Sequence, residues 1–221
     1  MEAGIKELFY FLVAKERNGR ITLNDQQMNS GMAAAILIEL THKEHVNLEG
    51  KRLVLKGHPR SKDEALAEMI RRMEKSSRPK KISSWISTVN LYRGQFYKAV
   101  KSNLLKTGLV REETMHFLGF IPYKIYFVNK PKLREEHLKR LRKSILENKY
   151  ETFEDSAIAL ITGSSQLLFR LFKDRKERRI ARQNIKELRK NNPFGEAVNA
   201  SVQAVNAAIF AATTVGTTAG S

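Results

Sequence analysis

Apolar residues near the start of the chain recur at helical spacing and predict two helices. The segment IKELFYFLVAKE places its apolar side chains on one side of a helix, and Asn18 and Gly19 are expected to end it. A second helix is expected from about Asp25, with an apolar side formed by Met28, Met32, Ala35, Ile36 and Leu40. Both segments are therefore candidates for the hydrophobic core.

Two later stretches change from helical spacing to alternation and predict β-hairpins. HVNLEGKRLVL alternates on both sides of Gly50, which can supply the positive φ of a tight turn. The helical segment FYKAVKSNLLKTG ends at Gly108, and LVREETMHFLGFIPYKIYFV then predicts a second strand pair around Gly119 and Pro122. Each hairpin follows a helix, an arrangement that resembles a winged helix.

The rest of the chain is predicted to be helical. DEALAEMIRRMEKSS and SSWISTV lie between the hairpins, and Ser83 or Ser84 is expected to cap the second of these helices. After Pro131 we expect helices in KLREEHLKRLRKSILENK, TFEDSAIALITGSSQLLFRLF and KDRKERRIARQNIKELRKN, and an Ala-rich helix from about Gly195. The 221 residues fit one domain spanning 1–221. The predicted fold class is mainly α, with a single helical domain that carries two β-hairpins.

The net charge of the chain limits the kinds of partner that it is expected to bind. The chain has 40 Lys and Arg against 23 Asp and Glu, a formal net charge of +17. A charge of this size favours an extended polyanion as partner, either nucleic acid or an anionic membrane surface. Net charge alone leaves both alternatives open.

Several classes of function find no support in the sequence. The absence of cysteine excludes disulfides and thiolate sites and is typical of a cytoplasmic protein. The stretch LFYFLVA is only seven residues long and lacks a small-residue cleavage site, so we expect a buried helix and not a signal peptide. The C-terminal run is too polar to span a membrane. His42 and His45 form the one close histidine pair, without a third ligand at metal-like spacing. With no catalytic motif present, the sequence predicts a protein that is not an enzyme and needs neither cofactor nor metal.

Basic residues concentrate in three segments. Two of them are the helices at 132–149 and 170–190, where the basic side is either a solvated face or a surface for an anion. The third lies before the second hairpin and interleaves aromatic residues; it contains Arg93, Lys98, Lys101, Lys106 and Arg111 with Tyr92, Phe96 and Tyr97. Phe96 shares a helical face with Val100 and is expected in the core, whereas Tyr97 is the better candidate for exposure.

The second hairpin is unusually apolar. FLGFIPYKIYFV either packs into the core or protrudes to pair with another subunit or to enter a lipid interface, where Tyr is favoured.

The ordered set of segments resembles the GPP34 family of Golgi phosphoprotein 3-like proteins, in its prokaryotic type. The segments that carry the resemblance are LFYFLVAKERNGRI, NSGMAAAILIELTHKEHVNLEGKRLVL, DEALAEMI, ISSWISTV, LLKTGLVREE and HFLGFIPYKIYFV. The resemblance covers nearly the whole chain, and SGMAAAILIEL, Ser30 to Leu40, is its strongest part.

This resemblance implies a peripheral membrane protein on the cytosolic face of a membrane. The family binds phosphatidylinositol 4-phosphate through a basic pocket, and its eukaryotic members act as adaptors for the cytosolic tails of membrane proteins. It also implies homo-oligomers formed through the second hairpin, for which the residues here are Phe117, Leu118, Phe120, Tyr123 and Tyr126.

The pocket of the family is not reproduced residue for residue. Its Trp and one Arg correspond to Asn24 and Ala33, and its basic pair falls near Gly94 and Tyr97. We therefore expect the lipid headgroup to be bound by neighbouring residues, with Gly31 allowing close approach of the backbone. The expected headgroup-binding residues are Arg93, Tyr97, Lys98, Lys101 and Gly31.

Two other functions remain open at this stage. A nucleic-acid-binding protein would use the winged-helix-like units, although the expected recognition helix carries Met28, Ser30, Met32 and Ala33, which offer few contacts to base edges. A pure protein scaffold would bind a tail peptide without any dependence on lipid.

Overall fold

Helices and two small antiparallel sheets make up the part of the chain that the computed structural model describes, residues 3–14, 25–163, 167–190 and 207. In chain order the elements are α1 (Ile5–Val13), α2 (Asp25–His42), β1 (Val46–Glu49), β2 (Arg52–Leu55), α3 (Glu64–Glu74), β3 (Lys80–Lys81), α4 (Ile82–Leu91), α5 (Arg93–Lys106), β4 (Val110–Phe117), β5 (Ile121–Val128), α6 (Pro131–Glu147), α7 (Phe153–Gly163), α8 (Leu167–Leu171) and α9 (Arg175–Lys190). The predicted class, mainly α with β-hairpins, is confirmed. Asn18, Gly19, Asn24 and the Ala-rich segment from Gly195 lie outside the described residues.

Three helices form the centre of the core. Every residue of α1 is buried, α2 is buried from Met28 to Thr41, and α7 is buried from Asp155 to Thr162. Helices that are apolar on all sides are stable only when other elements surround them. Gly31 sets the spacing of α1 and α2, because a Cβ atom at this position would lie 2.3 Å from Cζ of Phe9.

Two arginines satisfy the C-terminal carbonyl groups of α1. Arg134 of α6 donates from Nε to the carbonyl oxygen of Phe11 at 2.9 Å. Arg170 of α8 donates to the carbonyl oxygens of Val13 and Ala14 at 2.8 and 2.9 Å. Guanidinium groups at this end of the helix also interact favourably with its dipole. These contacts join the first helix to the C-terminal half of the chain.

The first hairpin gains a third strand that the sequence pattern did not predict. Strands β1 and β2 pair in the register Val46↔Leu55, and Gly50 has φ 59°, as the turn requires. Strand β3 then pairs with β2 through Arg52↔Lys81. The predicted cap at Ser83 or Ser84 is wrong, because α4 already begins at Ile82 and its N-cap residue, Lys81, makes no side-chain capping bond.

The second hairpin protrudes from the core. Its strands pair over eight residues, and only Val110 and Val128, at its base, are buried. At the tip, Phe117, Leu118 and Phe120 are 59%, 69% and 72% exposed. Core packing of this hairpin, one of the two expected arrangements, is therefore wrong for its tip. A two-stranded hairpin of this kind leaves an apolar patch facing solvent.

The C-terminal helices differ from the predicted pattern at one point. The stretch expected to form one helix from 152 to 172 is described as two helices, α7 and α8, with residues 164–166 outside the described part. Helix α9 buries Ala181, Ile185 and Leu188 and leaves most of its basic residues exposed, whereas Arg178 and Arg189 are half-buried. It packs on α6 and α7 and closes this side of the core.

A candidate anion-binding pocket beside helix α5

Helix α5 presents a stripe of residues to a pocket between α1, α2 and α5. Arg93, Tyr97 and Lys101 follow at intervals of four residues, so they share one face of the helix. The pocket has a volume of ≈ 340 Å³ and is lined by Tyr10, Met28, Asn29, Arg93, Gly94, Tyr97, Val100 and Lys101. We call it the α5 pocket. Its charged lining residues are both basic.

A hydrogen bond between side chains fixes the position of Tyr97. Its hydroxyl donates to Oδ1 of Asn29 at 2.6 Å, which links α5 to the N-terminal part of α2. Tyr97 is half-buried and Asn29 is buried, so solvent competes little for this bond. The aromatic ring is therefore held in place before any ligand arrives.

Lys101 lies where the pocket meets the second hairpin. Its Nζ is 4.4 Å from the centre of the Tyr126 ring, within the range of a cation–π interaction. Burial lowers the pKa of Lys101 from its ordinary value, while the Glu112 carboxylate acts in the opposite direction. A partly desolvated ammonium group interacts more strongly with an anion than a fully hydrated one.

Tyr10 forms a neutral part of the pocket wall. Burial raises its pKa to about 12, with a smaller contribution from Tyr126, so the phenol keeps its proton at neutral pH. Its hydroxyl donates to the backbone oxygen of Tyr126 at 3.4 Å. The pocket thus combines two cationic side chains with aromatic walls, which suits an anion attached to a larger, partly apolar molecule.

The structure brings together only part of the predicted headgroup set. Arg93, Tyr97 and Lys101 line the pocket, whereas Lys98 is exposed on another side of α5 and does not. Lys98 instead acts with Lys106 to lower the pKa of the Glu64 carboxyl, after the hydrogen bonds from Lys106 and Ser102.

Two further positions considered in the sequence analysis, Gly31 and Ala33, have no polar role in the pocket. Gly31 is buried against the Phe9 ring, so its close approach serves helix packing rather than the pocket surface. Ala33 is completely buried. Neither residue lines the pocket.

Two polar lining residues, Tyr10 and Asn29, were missed by the sequence analysis. Tyr10 sits in an apolar segment that indicates core, and Asn29 precedes the SGMAAA stretch without any motif. Tyr126, assigned to the oligomerisation hairpin, lies half-buried at its base beside Lys101. Only the spacing of Arg93, Tyr97 and Lys101 was a usable signal.

The burial of helix α2 argues against its use as a recognition helix for nucleic acid. The helix that would read a groove is α2, and its residues Met28 to Leu40 are all buried. A recognition helix must present side chains to base edges. Helix α2 presents none of these residues to solvent.

The described residues contain neither a metal-binding cluster nor a membrane-spanning helix. No group of three or more His, Cys, Asp or Glu side chains there could hold a metal ion. Within the same residues, no helix has both the length and the apolar character needed to cross a membrane.

These features define a class of protein: a mainly helical domain with two hairpins, one of them protruding, and an open pocket whose charged lining is basic. The family model of Golgi phosphoprotein 3 (GPP34) matches residues 5–205. The chain therefore belongs to the GPP34 family. A comparison with curated proteins gives no match.

Proposed function

We propose that this protein is a peripheral membrane protein that binds anionic phospholipid headgroups through the α5 pocket. The observation that carries the proposal is the shared stripe of Arg93, Tyr97 and Lys101 in a pocket with no acidic lining residue. Two cations facing one cavity repel each other, and an anionic phosphate between them relieves that repulsion.

The charge of the whole chain supports the same partner. A net charge of +17 attracts the protein to an anionic surface before any specific contact forms. Each Lys or Arg near such a surface adds about 1 kcal/mol, an effect that fades within a Debye length as salt rises. Binding is therefore expected to combine a salt-sensitive part with a contribution from the pocket.

Phosphatidylinositol 4-phosphate is the lipid that family membership favours. Its monoester phosphate carries more charge than a phosphodiester and suits paired cations. In this pocket Arg93 and Lys101 of α5 would supply the positive charge that binds the phosphate, so no basic residue is needed at position 33.

The second hairpin supports a further part of the proposal, self-association. Met115 pairs with Tyr123 and Phe117 with Ile121, so these residues form one apolar face, and Leu118 and Phe120 extend it at the tip. A second copy of the chain would cover this face. Joining several α5 pockets in one oligomer would strengthen membrane binding through avidity. An oligomer on the cytosolic face could then hold the tails of membrane proteins as an adaptor.

Vesicle co-sedimentation tests the proposed function. Vesicles of neutral lipid, of phosphatidylglycerol and of phosphatidylinositol 4-phosphate are compared at matched surface charge, from low to physiological salt. We expect binding to both anionic lipids, with the phosphoinositide retained at higher salt. Absence of binding to either anionic lipid at low salt contradicts the proposal, and a footprint on duplex DNA would then favour the nucleic-acid alternative.

A further inference from the structure

A second basic pocket lies at the N-terminus of α4, away from the α5 pocket. It has a volume of ≈ 500 Å³ and is lined by Arg52, Arg78, Pro79, Lys80, Lys81 and Ser84. We call it the α4 pocket. Four of its six lining residues are cationic and none is acidic. In the described part of the chain, none of these four side chains forms an ion pair with a carboxylate.

The strand register forces two of these cations together. Arg52 of β2 lies directly opposite Lys81 of β3 in the antiparallel ladder. Like charges at directly opposed positions destabilise a sheet. Arg52 gains one compensating contact, a 2.8 Å hydrogen bond from Nη1 to the backbone oxygen of Pro79, but this contact adds no negative charge. On its other side Arg52 lies opposite Glu49 of β1, but the two side chains form no ion pair in the described part of the chain. The positive charge of Arg52 is therefore not paired locally.

The start of α4 adds positive potential at the same place. The N-cap residue is Lys81, which makes no capping bond, and the first turn contains no acidic residue. Helix N-termini ordinarily carry Ser, Thr, Asp or Asn caps and acidic first turns because their free N–H groups attract negative charge. Here the N-cap is Lys81 and the first turn is Ile82, Ser83 and Ser84, of which Ser84 lines the pocket.

A buried donor lies next to this pocket. The indole N–H of Trp85 is buried and has no hydrogen-bond partner among the described residues. Trp85 lines an adjoining pocket of ≈ 400 Å³, and Arg78 and Pro79 line both cavities. Lys80 lies over the Trp85 ring, with Nζ 5.1 Å from its centre. Arg78 and Pro79 therefore separate the α4 pocket from the cavity that Trp85 lines, which also contains Glu74.

We infer that the α4 pocket is a second anion site, which binds a phosphate monoester. A dianion supplies the charge that Arg52, Arg78, Lys80 and Lys81 lack, and its oxygens can accept hydrogen bonds from guanidinium, ammonium and backbone N–H groups at once. The site is separate from the α5 pocket, since the two share no lining residue.

The position of the α4 pocket relates it to the proposed membrane surface. Ser84, Ser87 and Leu91 are exposed on one face of α4, which leads from this pocket to Arg93 at the start of α5. A helix of ten residues is about 15 Å long, so the two pockets lie near its opposite ends. The phosphate monoester is therefore either a lipid headgroup bound alongside the first one or a small phosphate taken from solution.

Thermal unfolding of the full chain with inorganic phosphate tests the site without a membrane. Wild type, the pocket variant Arg52→Gln with Lys81→Gln, and the control Lys62→Gln with Lys149→Gln are compared at constant ionic strength set with chloride. Both variants lose two charges, but Lys62 and Lys149 are exposed and outside both pockets. We expect phosphate to raise the Tm of wild type and control, and the affinity of the pocket variant to fall about tenfold or more. An equal phosphate shift in all three proteins overturns the inference.

A second variant tests whether loss of the phosphate shift in the first variant results from a folding defect. Lys80→Gln with Lys81→Gln keeps the Arg52 hydrogen bond to Pro79 and is expected to lose the phosphate shift as well. Retention of the full shift in this variant contradicts the inference.

Vesicle binding distinguishes the two sources of phosphate. If the site holds a lipid headgroup, the pocket variant also binds more weakly to vesicles that contain phosphatidylinositol 4-phosphate. This loss adds to the loss that substitution of Arg93 and Lys101 causes. If the site holds a small phosphate, the variant loses only the thermal shift. Because the thermal arm contains no lipid, a failure of the proposed membrane function does not decide the outcome for this site.

Discussion

The hydroxyl of Tyr97 donates a 2.6 Å hydrogen bond to Oδ1 of Asn29, and this bond ties α5 to α2 at the wall of the α5 pocket. Tyr97→Phe keeps the ring and removes the bond, which leaves a buried amide oxygen without this donor. We expect a loss of about 1 kcal/mol in the free energy of unfolding and weaker vesicle binding. Urea unfolding and co-sedimentation measure the two effects. The control is Tyr123→Phe on the exposed hairpin, and an equal loss in both variants would contradict the role of the Asn29 bond.

A pair of glycine substitutions separates helix packing from helix propensity. Gly31→Ala places a methyl group 2.3 Å from the Phe9 ring and is expected to cost about 1 to 3 kcal/mol of stability. Gly94→Ala on α5 meets no atom within 4 Å and should stabilise the helix by roughly 0.5 to 1 kcal/mol. Denaturant unfolding of both variants measures this contrast. Equal effects of the same sign would show that the contact with Phe9 does not limit position 31.

The buried ammonium of Lys6 holds three carboxylates together. Its Nζ lies 3.1 Å from Glu7, 3.0 Å from Glu39 and 2.6 Å from Asp63. Lys6→Met leaves these acids without their central counter-ion, and we expect a loss of about 3 to 5 kcal/mol in the free energy of unfolding. Lys43→Met is the control, because its half-exposed ammonium is 3.9 Å from Glu39 and should contribute only about 0.5 kcal/mol. A loss for Lys6→Met no larger than for Lys43→Met would contradict this account.

Glu7 gives the cluster a defined pH dependence. Burial raises the pKa of Glu7 above its ordinary 4.5, with Glu39 and Asp63 acting in the same direction and Lys6 against them. Between the ordinary and the raised pKa, the folded state binds a proton that the unfolded state has released, so stability falls as pH rises through this window. Glu7→Gln removes that dependence. The measurement is the stability of wild type minus that of Glu7→Gln, which should decrease with rising pH, and an increase would mean that pairing with Lys6 outweighs burial.

The hairpin tip is expected to mediate self-association. Phe117→Ser with Phe120→Ser removes two exposed aromatic rings from the apolar patch, and we expect the protein to become monomeric because that patch no longer needs to be covered. Sedimentation velocity measures the oligomeric state. The control, Thr114→Ser with His116→Ser, changes the opposite face of β4. An oligomer that survives the first pair of substitutions contradicts the role of the hairpin.

The sequence predicted the fold class and most elements, because apolar spacing is a local signal. The sequence could also predict that Arg93, Tyr97 and Lys101 lie side by side, because they share one helix. The sequence could not predict that Tyr10 and Asn29 line the pocket, because only the packing of α1 and α2 against α5 brings them there. Lys98 was grouped with the site by proximity in sequence, although its position on the helix turns it to another side. The predicted cap at Ser83 or Ser84 was wrong because strand β3 leads directly into α4. The sequence of β3, two lysines, does not indicate that it pairs with β2.

The most direct test of the α5 pocket is co-sedimentation of Arg93→Gln with Lys101→Gln on vesicles that contain phosphatidylinositol 4-phosphate. The control is Lys62→Gln with Lys149→Gln, which changes the net charge equally. Since each cation near the surface contributes about 1 kcal/mol, we expect the pocket variant to bind roughly 10- to 30-fold more weakly than wild type. The control should lose much less, and its loss should disappear as salt rises. Equal weakening of the two variants at every salt concentration would contradict a headgroup site in the α5 pocket.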